Sequence, residues 1–216
     1  YMAEGGQETE IMYKFGYDLP HFAMFTLHDL PQALAELRGM YCRYLDTAAS
    51  HGFVALMGGL DYRASPDWGA LLGYSPQALA EIQHRCIDFL RDVAKPYLGQ
   101  LPGILYAGIV GPKGDAYALN RTITADEAED YHSVQLETMS KAGVDIVSAM
   151  TFNNIPEAVG ISRAAAHMGL PLSLSFTLDT TCAITRSVRD AVRLHEILAA
   201  RSVRLDQRPL RALRLA

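Results

Sequence analysis

Gly143-Val144-Asp145-Ile146-Val147-Ser148-Ala149-Met150-Thr151-Phe152-Asn153-Asn154-Ile155-Pro156-Glu157 is the stretch on which the fold turns. Asp145–Met150 is short, apolar at nearly every position, and preceded by a glycine. That is the signature of a strand covered on both faces rather than of one half-exposed strand. Asn154 can cap a helix that Pro156 and Glu157 open. Gly169 then closes the helix, and Leu170-Pro171 leads into a second apolar run, Leu172–Thr177. One strand, one helix and a second strand within so short a span specify a parallel crossover unit.

The same rhythm extends toward the N-terminus. Ile104–Val110 and Phe53–Met57 read as further strands, and Ala3-Glu4 as the end of an earlier one. Between them, Ser75-Pro76 supplies an N-cap and a first-turn proline for a helix running from Ala78 to Ala94. Thr124-Ala125-Asp126-Glu127 is a capping box for a helix that Gly143 stops. Pro31–His51 reads as a helix ended by Gly52. Neither GxGxxG nor a P-loop follows an early strand, so a barrel is favoured over an open nucleotide-binding sheet. The fold class read here is α/β, a (β/α)8 TIM-barrel type that is incomplete, with about five strands where a closed barrel has eight. The opening begins at the end of a strand, as expected of a fragment or of a chain whose start was lost.

The 216 residues carry a net charge of -5, with half of them apolar and 20% charged. An acidic balance without a basic face gives no reason to expect a nucleic-acid partner. No apolar run approaches membrane-spanning length, and the opening residues lack the pattern of a signal peptide. Cys42, Cys86 and Cys182 are odd in number and widely spaced, which points to free thiols in a reducing compartment, the cytoplasm. Two domains are expected: residues 1–180 as a partial barrel, and 181–216 as an Arg-rich tail that does not continue it. Eight of the fifteen arginines follow Cys182, and Val188–Ala200 could form one amphipathic helix there.

In a barrel, ligand-binding groups gather where strands end. The first such place is Glu4-Gly5-Gly6-Gln7-Glu8-Thr9-Glu10, whose glycines let a ligand approach the backbone and whose carboxylate could hold an ammonium. A solvated turn with three surface glutamates is the alternative. After the second strand, Asp61-Tyr62-Arg63-Ala64-Ser65-Pro66-Asp67-Trp68 concentrates charged and aromatic groups beside the only tryptophan; an ordered surface loop anchored by Trp68 is the alternative. Gly111-Pro112-Lys113-Gly114-Asp115 reads as a turn that Asp115 closes. The seven histidines show neither HxH nor HExxH spacing. His84 and His132 fall in helices and read as partly buried or surface residues rather than metal ligands.

Taken in order, these pieces resemble the homocysteine S-methyltransferase family. The matching elements are Glu4-Gly5-Gly6-Gln7-Glu8-Thr9, Tyr62-Arg63-Ala64-Ser65, Gly111-Pro112-Lys113-Gly114-Asp115, Tyr131-His132 with Gln135, Ala142-Gly143-Val144-Asp145, Thr151 with Pro156-Glu157-Ala158, and Ser175-Phe176-Thr177. The resemblance covers residues 1 to 180 and implies a barrel that moves a methyl group from a small-molecule methyl donor to the thiol of homocysteine. It implies zinc held by three cysteine thiolates, with the substrate sulfur at the open position. On the same ground Glu4 takes the ammonium of a homocysteine-like amino acid, and Gly5 and Gly6 lie beside it. Asp61 and Tyr62 fall at the pocket lining, and Thr151 ends the fourth strand beside the substrate. Met150 stands where many members carry a second substrate-binding Glu, and a thioether cannot hold an ammonium by charge. The family's zinc cysteines have no counterpart; Cys182 matches none of them.

Three readings of function follow. The first is a homocysteine S-methyltransferase-like enzyme, with methyl transfer to a thiol in the complete family form. The second is a non-catalytic partial barrel that binds a small amino acid or self-associates as a homo-oligomer through open sheet edges. The third is a barrel enzyme in which Glu4, Asp61 and Asp115 perform acid-base chemistry without a metal.

Overall fold

The structure, a computed structural model, describes residues 1–118 and 120–177. Cys182, the helix expected at Val188–Ala200 and the Arg-rich tail lie outside the described residues. Five strands are described: β1 (Met2–Ala3), β2 (Ala55–Gly58), β3 (Ile104–Val110), β4 (Ile146–Phe152) and β5 (Leu172–Phe176). They pair in parallel in the order β1-β2-β3-β4-β5. A doubly wound sheet reverses strand order at a switch point. This one never does, and parallel crossovers of one hand then place the helices on the same side. The result is a curled half-barrel, an incomplete TIM-type fold.

The helices are α1 (Gln7–Tyr13), α2 (Pro31–His51), α3 (Pro66–Leu71), α4 (Pro76–Ala94), α5 (Ala125–Ala142) and α6 (Ile155–His167). Their ends follow local chemistry. Ser75 accepts the Ala78 amide at the start of α4, and Thr124 and Glu127 form a reciprocal capping box at the start of α5. Gly143 ends α5 at φ 72°, where a Cβ would be strained. Asn154 caps α6 by accepting the Glu157 amide at 2.8 Å.

The core lies between the strands and the inner faces of the helices. Leu37, Tyr41 and Leu45 of α2, Ile87 and Leu90 of α4, Leu136 of α5 and Ile161 of α6 meet Met57, Val110 and Val147 of the sheet. α5 and α6 approach closely because residue 160 is glycine: a Cβ there would lie 2.5 Å from the Ala125 carbonyl oxygen and the Ala128 methyl. The last described strand is thinly covered, with Phe176 48% exposed.

Candidate functional site

A cavity of about 390 Å³ opens at the carboxyl ends of β1 to β4. Its size suits a small ligand. Four strand ends supply its wall, so its contents are set by the residues at which each strand stops.

At the end of β1, Glu4, Gly5 and Gly6 line the cavity, followed by Gln7 and Glu8 from the first turn of α1. Gly6 sits at φ 62°, which lets the chain turn sharply from strand to helix. One Glu4 carboxylate oxygen accepts the Gly58 amide at 2.5 Å. A side chain at residue 58 would collide with that carboxylate, so Gly58 is what admits it. Burial pushes the Glu4 carboxyl above its ordinary range, partly offset by backbone N–H donors, with the nearby Glu8 carboxylate adding to the rise. Glu8 is raised by burial as well. An ammonium entering here would lower both carboxyls again by favouring their charged forms.

The segment after β2 divides in two. Tyr62 lines the cavity, whereas Asp61 points behind it and is fully buried. Asp61 accepts the Ile109 amide at 3.0 Å, its second oxygen has no partner among the described residues, and burial pushes its carboxyl up to about 7. Its backbone carbonyl accepts from Gln135 at 2.7 Å. The structure thus brings Glu4, Gly5, Gly6, Tyr62 and Thr151 around one space and places Asp61 in the layer behind. Asp115 lines the cavity with Glu4 but Asp61 does not, so the acid-base trio Glu4, Asp61 and Asp115 does not meet in it.

Thr151 ends β4 with φ 61°, a left-handed conformation that a β-branched residue rarely adopts. The pairing register between β4 and β5 shifts between Ala149 and Phe152, as at a bulge. Such irregularities re-aim side chains near functional sites. The Thr151 hydroxyl donates to the Met150 carbonyl at 2.6 Å, and with its one proton committed it accepts from Tyr62 at 2.6 Å. Met150 lines the cavity, 44% exposed.

The β3 loop completes the wall with Asp115, Ala116 and Tyr117. Asp115 accepts the Tyr117 amide at 2.9 Å, closing the turn. The loop is held from beneath by Glu157, which is fully buried and accepts from the Lys113 amide at 2.5 Å, from His132 at 2.9 Å and from Asn154 at 3.0 Å. His132, expected partly buried or on the surface, is instead wholly enclosed as the partner of this carboxylate. Sequence reasoning missed the pair because Glu157 has the look of an ordinary first-turn acid.

Sequence reasoning also left Glu8 as an alternative surface residue and did not anticipate Phe22. Phe22 reaches the cavity from a strap in which His21 and Phe22 both have positive φ. No local signal marks that strap.

The described donors do not fit a thiolate metal site. Among the described residues no group of three His, Cys, Asp or Glu side chains is placed to hold a metal. Cys86 is fully buried in α4, its thiol pushed well up by burial, and Cys42 lies on α2; neither lines the cavity. No described helix is long and apolar enough to cross a membrane.

Among solved structures, the chain is similar to the homocysteine methyltransferase MmuM from Escherichia coli. Its oxidized form matches with a TM-score of 0.67 and 20% identity, over 91% of this chain and 67% of that one. The metallated form matches with a TM-score of 0.65 and 21% identity, over 90% and 68%. The apo form matches with a TM-score of 0.57 and 19% identity, over 91% and 64%. The chain thus spans about two thirds of the length of these relatives. At such identities the likeness shows a shared fold. No curated protein matches by sequence. The family profile described as Homocysteine S-methyltransferase matches residues 2–205, nearly the whole chain. The chain belongs to the homocysteine S-methyltransferase family.

Proposed function

We propose that the cavity binds a small α-amino acid of the homocysteine type, with Glu4 receiving its ammonium, and that in the complete family form the barrel moves a methyl group from a donor to the ligand's thiol. The observation that carries this reading is the convergence of Glu4, Gly5, Gly6, Tyr62 and Thr151 on one cavity at the strand ends. Glu4 and Glu8 supply negative charge on the β1 side, and Phe22, Ile109 and Met150 supply apolar wall for a thioalkyl chain. In the transfer a thiolate sulfur bonds to the donor's methyl carbon, and the donor leaves with the electron pair of the broken bond. The described residues bind and orient; the zinc-thiolate set that the family implies is not among them, and no step is assigned to it. The free cysteines fit a cytoplasmic setting for this activity.

Calorimetric titration of the chain with L-homocysteine and L-methionine tests the reading. Loss of a charge-assisted contact of about 1.5–3 kcal/mol predicts that Glu4→Gln weakens binding roughly tenfold to a hundredfold. Unchanged affinity in that variant, or no binding by the parent chain, would defeat it.

A second reading, binding without catalysis and with self-association, draws on the exposure of Phe176 on β5, the last described strand. Unpaired sheet edges recruit other chains. A sedimentation profile that stays monomeric at high concentration would remove its self-association part.

A further inference from the structure

Arg63 is 8% exposed, yet it lines the cavity. One guanidinium nitrogen donates to the Gly114 carbonyl at 2.7 Å. The Nε is buried with no partner among the described residues. The group lies between two aromatic rings, 4.6 Å from the Trp68 centroid and 4.9 Å from that of Tyr62. None of the ion pairs among the described residues includes it. It is also the only cation among the described residues lining the cavity.

A guanidinium held out of water without an anion is costly, and ring faces offset only part of that cost. Every other charged group on the lining, Glu4, Glu8 and Asp115, is acidic. A cation alone would satisfy the carboxylates and leave Arg63 as it is. A ligand bearing both charges satisfies both. The planar fork of arginine suits a carboxylate in particular.

We propose that Arg63 is a specificity-determining residue that receives the ligand's α-carboxylate, so that the cavity selects zwitterionic amino acids over amines of the same side chain. The proposal rests on the amino-acid reading of the cavity given above. The rings of Tyr62 and Trp68 fix the guanidinium plane, and the Gly114 contact ties it to the β3 loop that carries Asp115 and Tyr117.

The test compares L-methionine with L-methioninol, which keeps the ammonium and thioether and replaces the carboxylate by a hydroxymethyl group. Calorimetric titration of the full chain is expected to show methionine binding at least about tenfold more tightly, the scale of a charge-assisted contact. In Arg63→Met, methionine falls to the methioninol level while methioninol changes by less than about threefold. Arg63→Lys, which keeps charge but not the fork, retains part of the discrimination. Glu4→Gln weakens both ligands alike, because both carry the ammonium. Equal binding of the two ligands by the parent chain overturns the Arg63 assignment and leaves the amino-acid reading standing, and this comparison needs no variant to fold. Equal weakening of both ligands in a folded Arg63→Met overturns it also. Failure of the parent chain to bind methionine at all removes the amino-acid reading and the Arg63 assignment together.

Discussion

Replacing Glu157 by alanine is the perturbation with the largest expected effect on stability. Its carboxylate is wholly enclosed, and three donors from three segments depend on it: the Lys113 amide, the His132 ring and the Asn154 side chain. Each buried donor left without an acceptor costs about 1–3 kcal/mol, and because the three share one group the losses do not simply add. Removing the shared acceptor strands all three buried donors, so a loss of about 3–5 kcal/mol is expected for Glu157→Ala. For a chain of this size it corresponds to a fall in melting temperature of roughly 6–20 °C. Glu157→Gln keeps the shape and one acceptor oxygen, so its loss should be about half as large. Urea denaturation of the full chain, followed by circular dichroism, measures both. If Glu157→Ala lies within about 1 kcal/mol of the parent, the three contacts do not hold the β3 loop to α6 and the reasoning fails.

Two further outcomes are expected. Asp61 holds its proton more firmly when folded, with a folded value of about 7 against an ordinary 3.8. The folded state therefore binds the extra proton between those values. Its stabilising contribution is complete below about pH 4 and declines by about 1.4 kcal/mol per pH unit as pH rises toward 7. Asp61→Asn should gain on the parent across that window in urea melts at several pH values, and a pH-independent difference would contradict this. Gly111→Ala would place a methyl 2.8 Å from the Tyr62 ring, displacing the Tyr62 hydroxyl from Thr151. Overpacking of that kind costs about 1–3 kcal/mol and should weaken ligand binding in the same titration; a variant with parental stability and affinity would show that the ring has room to move.

Most of the fold was legible because its signals are local. β3 and α2 occupy the spans that the apolar run Ile104–Val110 and the proline and glycine bounding Pro31–His51 define. α1 was not legible: Gly5-Gly6 and three glutamates look like a solvated turn, and only burial of Gln7 and Ile11 against the barrel makes the segment a helix. α3 was hidden likewise inside what looks like a loop after β2. The strand ends pointed to the site, since each loop is anchored by glycines and polar groups. The division between Tyr62 facing the cavity and Asp61 facing away is a matter of tertiary direction that adjacent residues do not reveal. Glu127 and Glu157 make the same point. Both stand three residues after a helix cap, yet one is exposed and the other enclosed with His132, a difference set by which helix packs over the β3 loop.

Strand order has a consequence for how this polypeptide is made. Each described strand after β1 pairs with the strand synthesised just before it. A nascent chain emerging from the ribosome can therefore extend the sheet one unit at a time, each new βα segment docking on an edge already formed, and loop-closure entropy is met in small instalments.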